Sequence, residues 1–281
     1  MYGRTDLAID RKTGDFKNFE GVDLKEYHKN NIKITKMKKT SDSGALKLKK
    51  DKGIYVTLEF EDLEKIIDYK FIKEAITEEI LTLLEDKNNI LVLALGNEEI
   101  TSDSIGPKTA KRLLATRHIK KEFLEKLNLE KLKKVSVLAP NVLGKTGIET
   151  SEIAKAVILK TKPQAAVIID ALATNDIKRL FKTVQITNTG ISPGSGVKNE
   201  RKELSFKTLG IPVIAIGVPT VVDAESLAFN LTGEKSKINS GLFVTPKDCD
   251  ILCEDISKIL AESLNLALQN ETDKETVLNL V

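Results

Sequence analysis

Asp103, Asp170 and Asp223 each stand just beyond an apolar run. ILVLAL at 90–95 precedes the loop that carries Asp103, AAVII at 165–169 runs directly into Asp170, and IPVIAIGV at 211–218 precedes Asp223. Unbroken apolar runs of this length read as strands buried on both faces, as in a parallel sheet. Ligands of open parallel sheets bind outside the carboxyl ends of the strands, so three such acids meet at one edge if the strand order allows it. Two carboxylates at hydrogen-bonding distance do not both ionise cheaply. They share a proton, leaving one as base on a water and the other as acid, which is chemistry for hydrolysing an amide. The competing reading of Asp170 is an N-cap for the residues that follow it.

Other residues offer different chemistry. The loop GISPGSG at 190–196 has the composition of a backbone nest for phosphate, although the chain has no complete Walker signature and no GxGxxG after a strand. Ser195 lies between two glycines, but GSG is not the GxSxG nucleophile turn, and the only imidazoles available as base are His28 and His118. His118 reads as a capping or packed histidine at a helix end. Cys249 and Cys253, one helical turn apart, read as two buried thiols; a metal site would need further ligands, and none is expected.

These residues need a scaffold, and the patterning predicts one. The region to about Asn31 is polar and lacks periodicity, so it is expected to pack loosely. IKITKM, ALKLKK and GIYVTL then read as short antiparallel strands forming a small β extension over about 30–60. Glu61 to Asp86 carries apolar residues at helical spacing. The α/β core follows, with strands at 90–95, 135–140, 165–169, 183–187 and 211–218, and helices from about Pro107 through Ile119, over 119–134, and from about Thr150. A polar linker from Asn230 to Gly241 leads to a final helix, and the last eleven residues are expected to fray. The fold class is α/β, a three-layer sandwich around a mostly parallel sheet, in a single domain.

Composition sets the limits. The chain has 281 residues, 41% hydrophobic and 30% charged, which suits a soluble globular protein. Forty-four Lys+Arg against 41 Asp+Glu leave a formal charge of +3, too slight to point to direct nucleic-acid binding. No apolar run approaches a membrane span, and the N-terminus lacks a secretory signal, so a cytoplasmic protein without membrane contact is expected.

At the level of motifs, RTDLAID at 4–10, LALGN at 93–97, DSIGPK at 103–108, LATRH at 114–118, GKTGIETSEI at 144–153, IIDALA at 168–173, TGISPGSGV at 189–197, RKELS at 201–205, LGIPVIAIGVPTVVDA at 209–224 and VTPK at 244–247 closely resemble the spore germination protease family. The resemblance implies an atypical aspartic endopeptidase that degrades small acid-soluble spore proteins at germination, in the spore core. It implies a hydrogenase maturation peptidase-like fold with extra N-terminal strands, a homotetramer, no cofactor, and a zymogen that clips itself. By motif, the catalytic acids fall on Asp103 and Asp170. The family cuts after an acid and before an apolar residue and Ala. In this chain Asp6-Leu7-Ala8 has that form, which implies self-cleavage between Asp6 and Leu7, a propeptide of residues 1–6 and a mature domain of 7–281.

For substrate binding, Lys198, Arg201 and Lys202 are candidates to attract acidic residues, and the glycine loops that include Gly147 and Gly196 are candidates to supply N–H groups to an oxyanion. The chain departs from the family pattern at Ser102 and Ser104 beside the first acid, at Lys145, which would bring a cation near the acids, and in a shortened segment after Ala224. A catalytically silent spore-protein binder and a phosphate-handling enzyme are the alternatives.

Overall fold

The computed structural model describes residues 6–7, 21–41, 51–63, 68–194, 201–234, 240–270 and 272–280. Strands β1 (Val22–Lys29), β2 (Ile32–Lys39), β3 (Gly53–Glu59), β4 (Asn89–Ala94), β5 (Lys134–Leu138), β6 (Ala165–Thr174), β7 (Thr183–Thr187), β8 (Val213–Asp223) and β9 (Phe243–Val244) form one sheet. Its order is β1-β2-β3-β7-β8-β6-β4-β5, with β9 added beside β8. The centre, β8-β6-β4-β5, is parallel. The N-terminal strands extend it through antiparallel pairs ending at β7–β8.

The unbroken apolar runs are explained by helices on both faces. Ile90, Val92, Val167 and Ile169 face the cluster that includes Ile72, Ile76 and Ile80 of α1 (Lys70–Leu84) and Ile256, Leu260 and Leu264 of a long C-terminal helix, Cys249–Leu268. Their neighbours Leu91, Leu93, Ala166 and Ile168 face the other way, against Ala154 and Val157 of the helix Thr150–Thr161. Successive strand residues point to opposite faces, so each layer takes every second residue. Each aliphatic side chain so buried contributes about 1.5–3 kcal/mol. The three-layer α/β arrangement is therefore the one the patterning predicts.

Several expectations need correction. Both acid-bearing core strands are longer than their apolar runs: β6 continues to Thr174 and β8 to Asp223. Asp170 is thus a mid-strand residue. It sits where β6 outruns its neighbour, because the β4–β6 pairing ends at Ala94 and Ile169. The region before Asn31 contains β1, paired along its whole length with β2. The legible signal was Asn30-Asn31, whose φ of 49° and 64° makes the tight hairpin turn that asparagine tolerates. The C-terminal eleven residues include a helical segment, Lys274–Asn279, capped by Asp273 and anchored by fully buried Val277. Of the helix expected over Glu61 to Asp86, the described residues show Lys70–Leu84, with the Lys70 N–H taken by Asp68 Oδ1 at 2.8 Å, while 64–67 lie outside the described residues. The expected strand at ALKLKK lies outside the described residues.

The helix expected to run to Ile119 is α2 (Ile105–Ala110), one and a half turns long. Its end is set from outside. Asn265, 1% exposed on the C-terminal helix, donates through Nδ2 to Arg112 O at 2.9 Å and accepts Leu114 N–H at 2.9 Å. Val135 O then accepts the N–H groups of Thr116 and Arg117. Tertiary partners thereby replace the bonds a continuing helix would make. Asn265→Ala, which orphans both backbone groups, should cost about 2–4 kcal/mol in urea unfolding; a loss below about 0.5 kcal/mol would show that the segment holds without it.

Candidate active site

At the carboxyl ends of β4, β6 and β8 lies a cavity of about 400 Å³. Asp103 and Asp170 both line it, and they are near enough for the charge of one to act on the other. The two acids singled out from the sequence therefore meet in one cavity.

Asp103 is held by a loop that two glycines close. Gly96 has φ +116°, and a Cβ there would lie 2.1 Å from Asp103 O. A Cβ on Gly106 would lie 2.1 Å from Leu95 O. Only glycine allows these approaches, which gives LALGN and DSIGPK their physical meaning. Across the closed loop, Asn97 N–H donates to Asp103 O at 3.1 Å and to Asp103 Oδ2 at 2.8 Å. The C-terminal helix supports it from beneath: Cys253 Sγ donates to Thr101 O at 3.2 Å and Ser257 Oγ to Ile105 O at 3.3 Å.

Asp170 is 6% exposed, and its Oδ1 accepts the N–H of Ala171 at 3.0 Å. Burial pushes its carboxyl well above the usual carboxylate range, and the charges of Asp103 and Asp6 push the same way, against the Ala171 N–H. Burial also raises Asp103, to about 6, opposed by the Asn97 N–H. Asp170 is thus disposed to keep a proton near neutral pH, whereas Asp103 is largely ionised there and takes up a proton only as pH falls toward about 6.

The chain's own Asp6 occupies the same cavity. Its N–H donates to Ala173 O at 3.0 Å, and its Oδ2 accepts Ala173 N–H at 2.9 Å. Leu7, fully buried, packs against Leu172 and Ile191. Of the implied cleavage pair, Asp6 lines the cavity and Leu7 is buried beside it.

The other candidates are distributed differently. Arg201 lines the cavity, the one basic side chain among the described residues that does. Lys202 is exposed and pairs with Glu152 at 3.6 Å, away from the lining. Gly147 ends a short helical turn, Leu143–Thr146, at φ +67° and does not line the cavity, whereas Gly144 and Gly194 do. Lys198, Gly196 and Ser195 lie outside the described residues. Asp223 is no part of the convergence: it caps the helix Ala224–Thr232, accepting Ser226 N–H at 2.9 Å and Ser226 Oγ–H at 2.6 Å. His28 and His118 are exposed, and His118 lies in a turn, not at a helix end. Lys145 pairs with Glu99 on the surface and does not reach the acids. Glu149 and Thr150 line the cavity and were missed as site residues, although GIETSEI placed them on a loop after a core strand.

The thiols of Cys249 and Cys253 are buried, with sulfurs 3.9 Å apart. Among the described residues, no group of three or more His, Cys, Asp and Glu side chains is arranged to hold a metal ion. No described helix is long and apolar enough to cross a membrane.

Comparison with known proteins gives a consistent result. The family model described as germination protease matches residues 4–233. The germination protease of Clostridium tetani is 40% identical over 319 aligned positions, covering 99% of this chain and 98% of that protein. That of Priestia megaterium is 34% identical, covering 97% and 95%. Among solved structures, the [NiFe] hydrogenase maturation protease HycI of Thermococcus kodakarensis is similar over 66% of this chain, at 18% identity and a TM-score of 0.39.

The raised Asp170 carboxyl has a thermodynamic consequence. Its native pKa lies above its unfolded value, so its contribution to native stability is greatest below about pH 4 and is lost as pH rises through the native pKa. Asp170→Asn, which cannot ionise, should melt several degrees above the parent at about pH 8 and near it at about pH 4; equal gains at both pH values would contradict a buried, proton-retaining acid.

Proposed function

This chain belongs to the germination protease family, and from that premise we propose that it is an aspartic-type endopeptidase in which Asp103 and Asp170 share the proton that drives peptide hydrolysis. The observation that carries the reading is the meeting of these two acids, both raised by burial, in a single cavity. The proton rests preferentially on Asp170, the more buried of the two. Asp103 is then the base that activates a water, and Asp170 donates its proton to the carbonyl oxygen as the tetrahedral intermediate forms. On collapse of the intermediate the C–N bond breaks, the proton gained by Asp103 passes to the leaving amine, and a hydroxyl of the tetrahedral carbon returns its proton to Asp170 as the new carboxyl forms, so the starting protonation is restored and no covalent enzyme intermediate forms.

The substrate class proposed is small acid-soluble spore proteins in the spore core, cut after an acidic residue and before an apolar residue and Ala. The chain's own Asp6-Leu7 bond is a further substrate, with residues 1–6 as the propeptide. Asp6 in the cavity lining, with Leu7 enclosed next to it by Leu172 and Ile191, supports both statements. Homotetrameric assembly, which light scattering would test, completes the proposal. The phosphate-handling alternative is disfavoured by the lining, where Asp6, Asp103, Glu149 and Asp170 face one Arg201 and would repel an anion. A silent binder has no need of two buried acids, whose desolvation costs stability without a compensating partner.

Asp103→Asn and Asp170→Asn should each lower kcat/KM on a small acid-soluble spore protein by about 10²–10⁴ and block self-processing, with folding retained by circular dichroism. Activity near the parental level in either variant would sink the assignment. In the parent protein, kcat/KM should fall about tenfold per pH unit below about 6, as the base protonates. Arg201→Glu should raise KM for peptides with acidic flanks more than for neutral ones; an equal effect on both would remove Arg201 from substrate recognition.

A further inference from the structure

The position of Asp6 and Leu7 says how a peptide is held. β6 continues for five residues beyond its last pair with β4 and presents an edge there. Ile169 uses its carbonyl on that side, accepting Leu95 N–H at 2.8 Å. Alternate strand residues point their backbone groups the same way, so Ala171 and Ala173 turn theirs to this edge. The Ala171 N–H is taken by Asp170 itself, and both backbone groups of Ala173 are taken by Asp6. A chain segment bound at Ala173 therefore lies along the edge that begins past Ile169, three residues of strand, or about 10 Å, beyond Asp170.

The apolar half of the site is equally well defined. Leu172 lies across Gly217 of β8, where a Cβ would come within 2.3 Å of Leu172 Cδ1. Ile191 is fixed by two backbone bonds to Leu204, at 3.0 and 2.8 Å. At Gly190, φ +95°, a Cβ would meet Leu204 O at 2.3 Å. Between Leu172 and Ile191, Leu7 is wholly enclosed. On the far side of β6, the pairing with β8 shifts register between Leu172 and Ala173, Thr220 of β8 being the extra residue.

We propose that this edge is the peptide-binding subsite: a substrate replaces Asp6 and Leu7, setting the carboxylate of its acidic residue on the Ala173 N–H and its next side chain between Leu172 and Ile191. Preference for an acid is then read by a backbone donor, and preference for an apolar residue by a preformed pocket. Peptide addition to a strand edge supplies main-chain bonds for affinity and side-chain pockets for specificity. The inference rests on the peptidase reading but concerns binding, and the two are separable.

The test uses the full chain carrying Asp103→Asn to stop turnover, and fluorescence anisotropy of the labelled peptide TDLAID. Leu7→Ala in this chain weakens the internal competitor and should tighten peptide binding about tenfold. On the Leu7→Ala chain, TNLAID and TDSAID should each bind at least about tenfold more weakly than TDLAID. The proposal is overturned if TDLAID fails to bind the Leu7→Ala chain, if Leu7→Ala leaves affinity unchanged, or if the three peptides bind alike. The peptide comparison needs no further protein variant. The expected binding pattern without cleavage by the Asp103-containing chain would sink the peptidase reading and leave the subsite standing. Cleavage indifferent to both peptide changes would do the reverse.

Discussion

A carboxylate 6% exposed in the middle of a strand is the constraint on which the site depends. Asp170 belongs to a strand whose other residues are apolar except Thr174 at its end, and the same burial that makes the apolar residues stabilising makes an ionised Asp170 costly. Main-chain N–H groups are directed at three of the cavity's acids: Asn97 for Asp103, Ala171 for Asp170 and Ala173 for Asp6. A main-chain N–H at Asp170 does not replace a hydration shell. Three neighbouring negative charges would add mutual repulsion, and retention of a proton by the most buried member relieves both costs at once.

The framework around the acids is rigid for reasons that can be stated atom by atom. Gly96 and Gly106 let the Asp103 loop close onto the end of β4, and the C-terminal helix fixes it through Cys253 and Ser257. The large core beneath, packed on both faces of the central strands, offsets the local cost of the buried acids. Asp223, which shares the same strand-end pattern in sequence, shows the difference a helix makes. Its carboxylate is satisfied twice by Ser226, so it caps a helix and stays out of the cavity.

The central strands, their two-sided burial and the acids beyond them were legible from apolar runs, because burial on both faces leaves no polar alternation to confuse the pattern. Strand ends were less so: β6 and β8 continue through Asp170, Ala173 and Pro219, residues that do not read as strand and are held extended by the pairing of the two strands. The length of α2 was hidden because Asn265, some 150 residues away, supplies the bonds that stop it. β1 was hidden by its exposed, charged outer face, although Asn30-Asn31 marked the hairpin. For the candidate site, acids at strand ends could be found from pattern, whereas the seating of Asp6 beside Ala173 depends on an edge created by unequal strand lengths, a property of the assembled sheet.

The disposition of cations completes the electrostatic argument. A cation against Asp103 or Asp170 would hold its carboxyl ionised and remove the shared proton. The loops and helices near the cavity do carry cations, and surface acids engage them: Lys145 pairs with Glu99, Lys202 with Glu152, and Lys108 and Arg112 with Glu254. Arg201 alone among basic side chains reaches the described lining, and its charge is absent from the influences that set Asp103 and Asp170. A chain with nearly balanced charge overall thus keeps a markedly acidic cavity. The lysine that interrupts the glycine loop pairs with exposed Glu99, four residues before Asp103, and is not among the charges that act on Asp103 or Asp170.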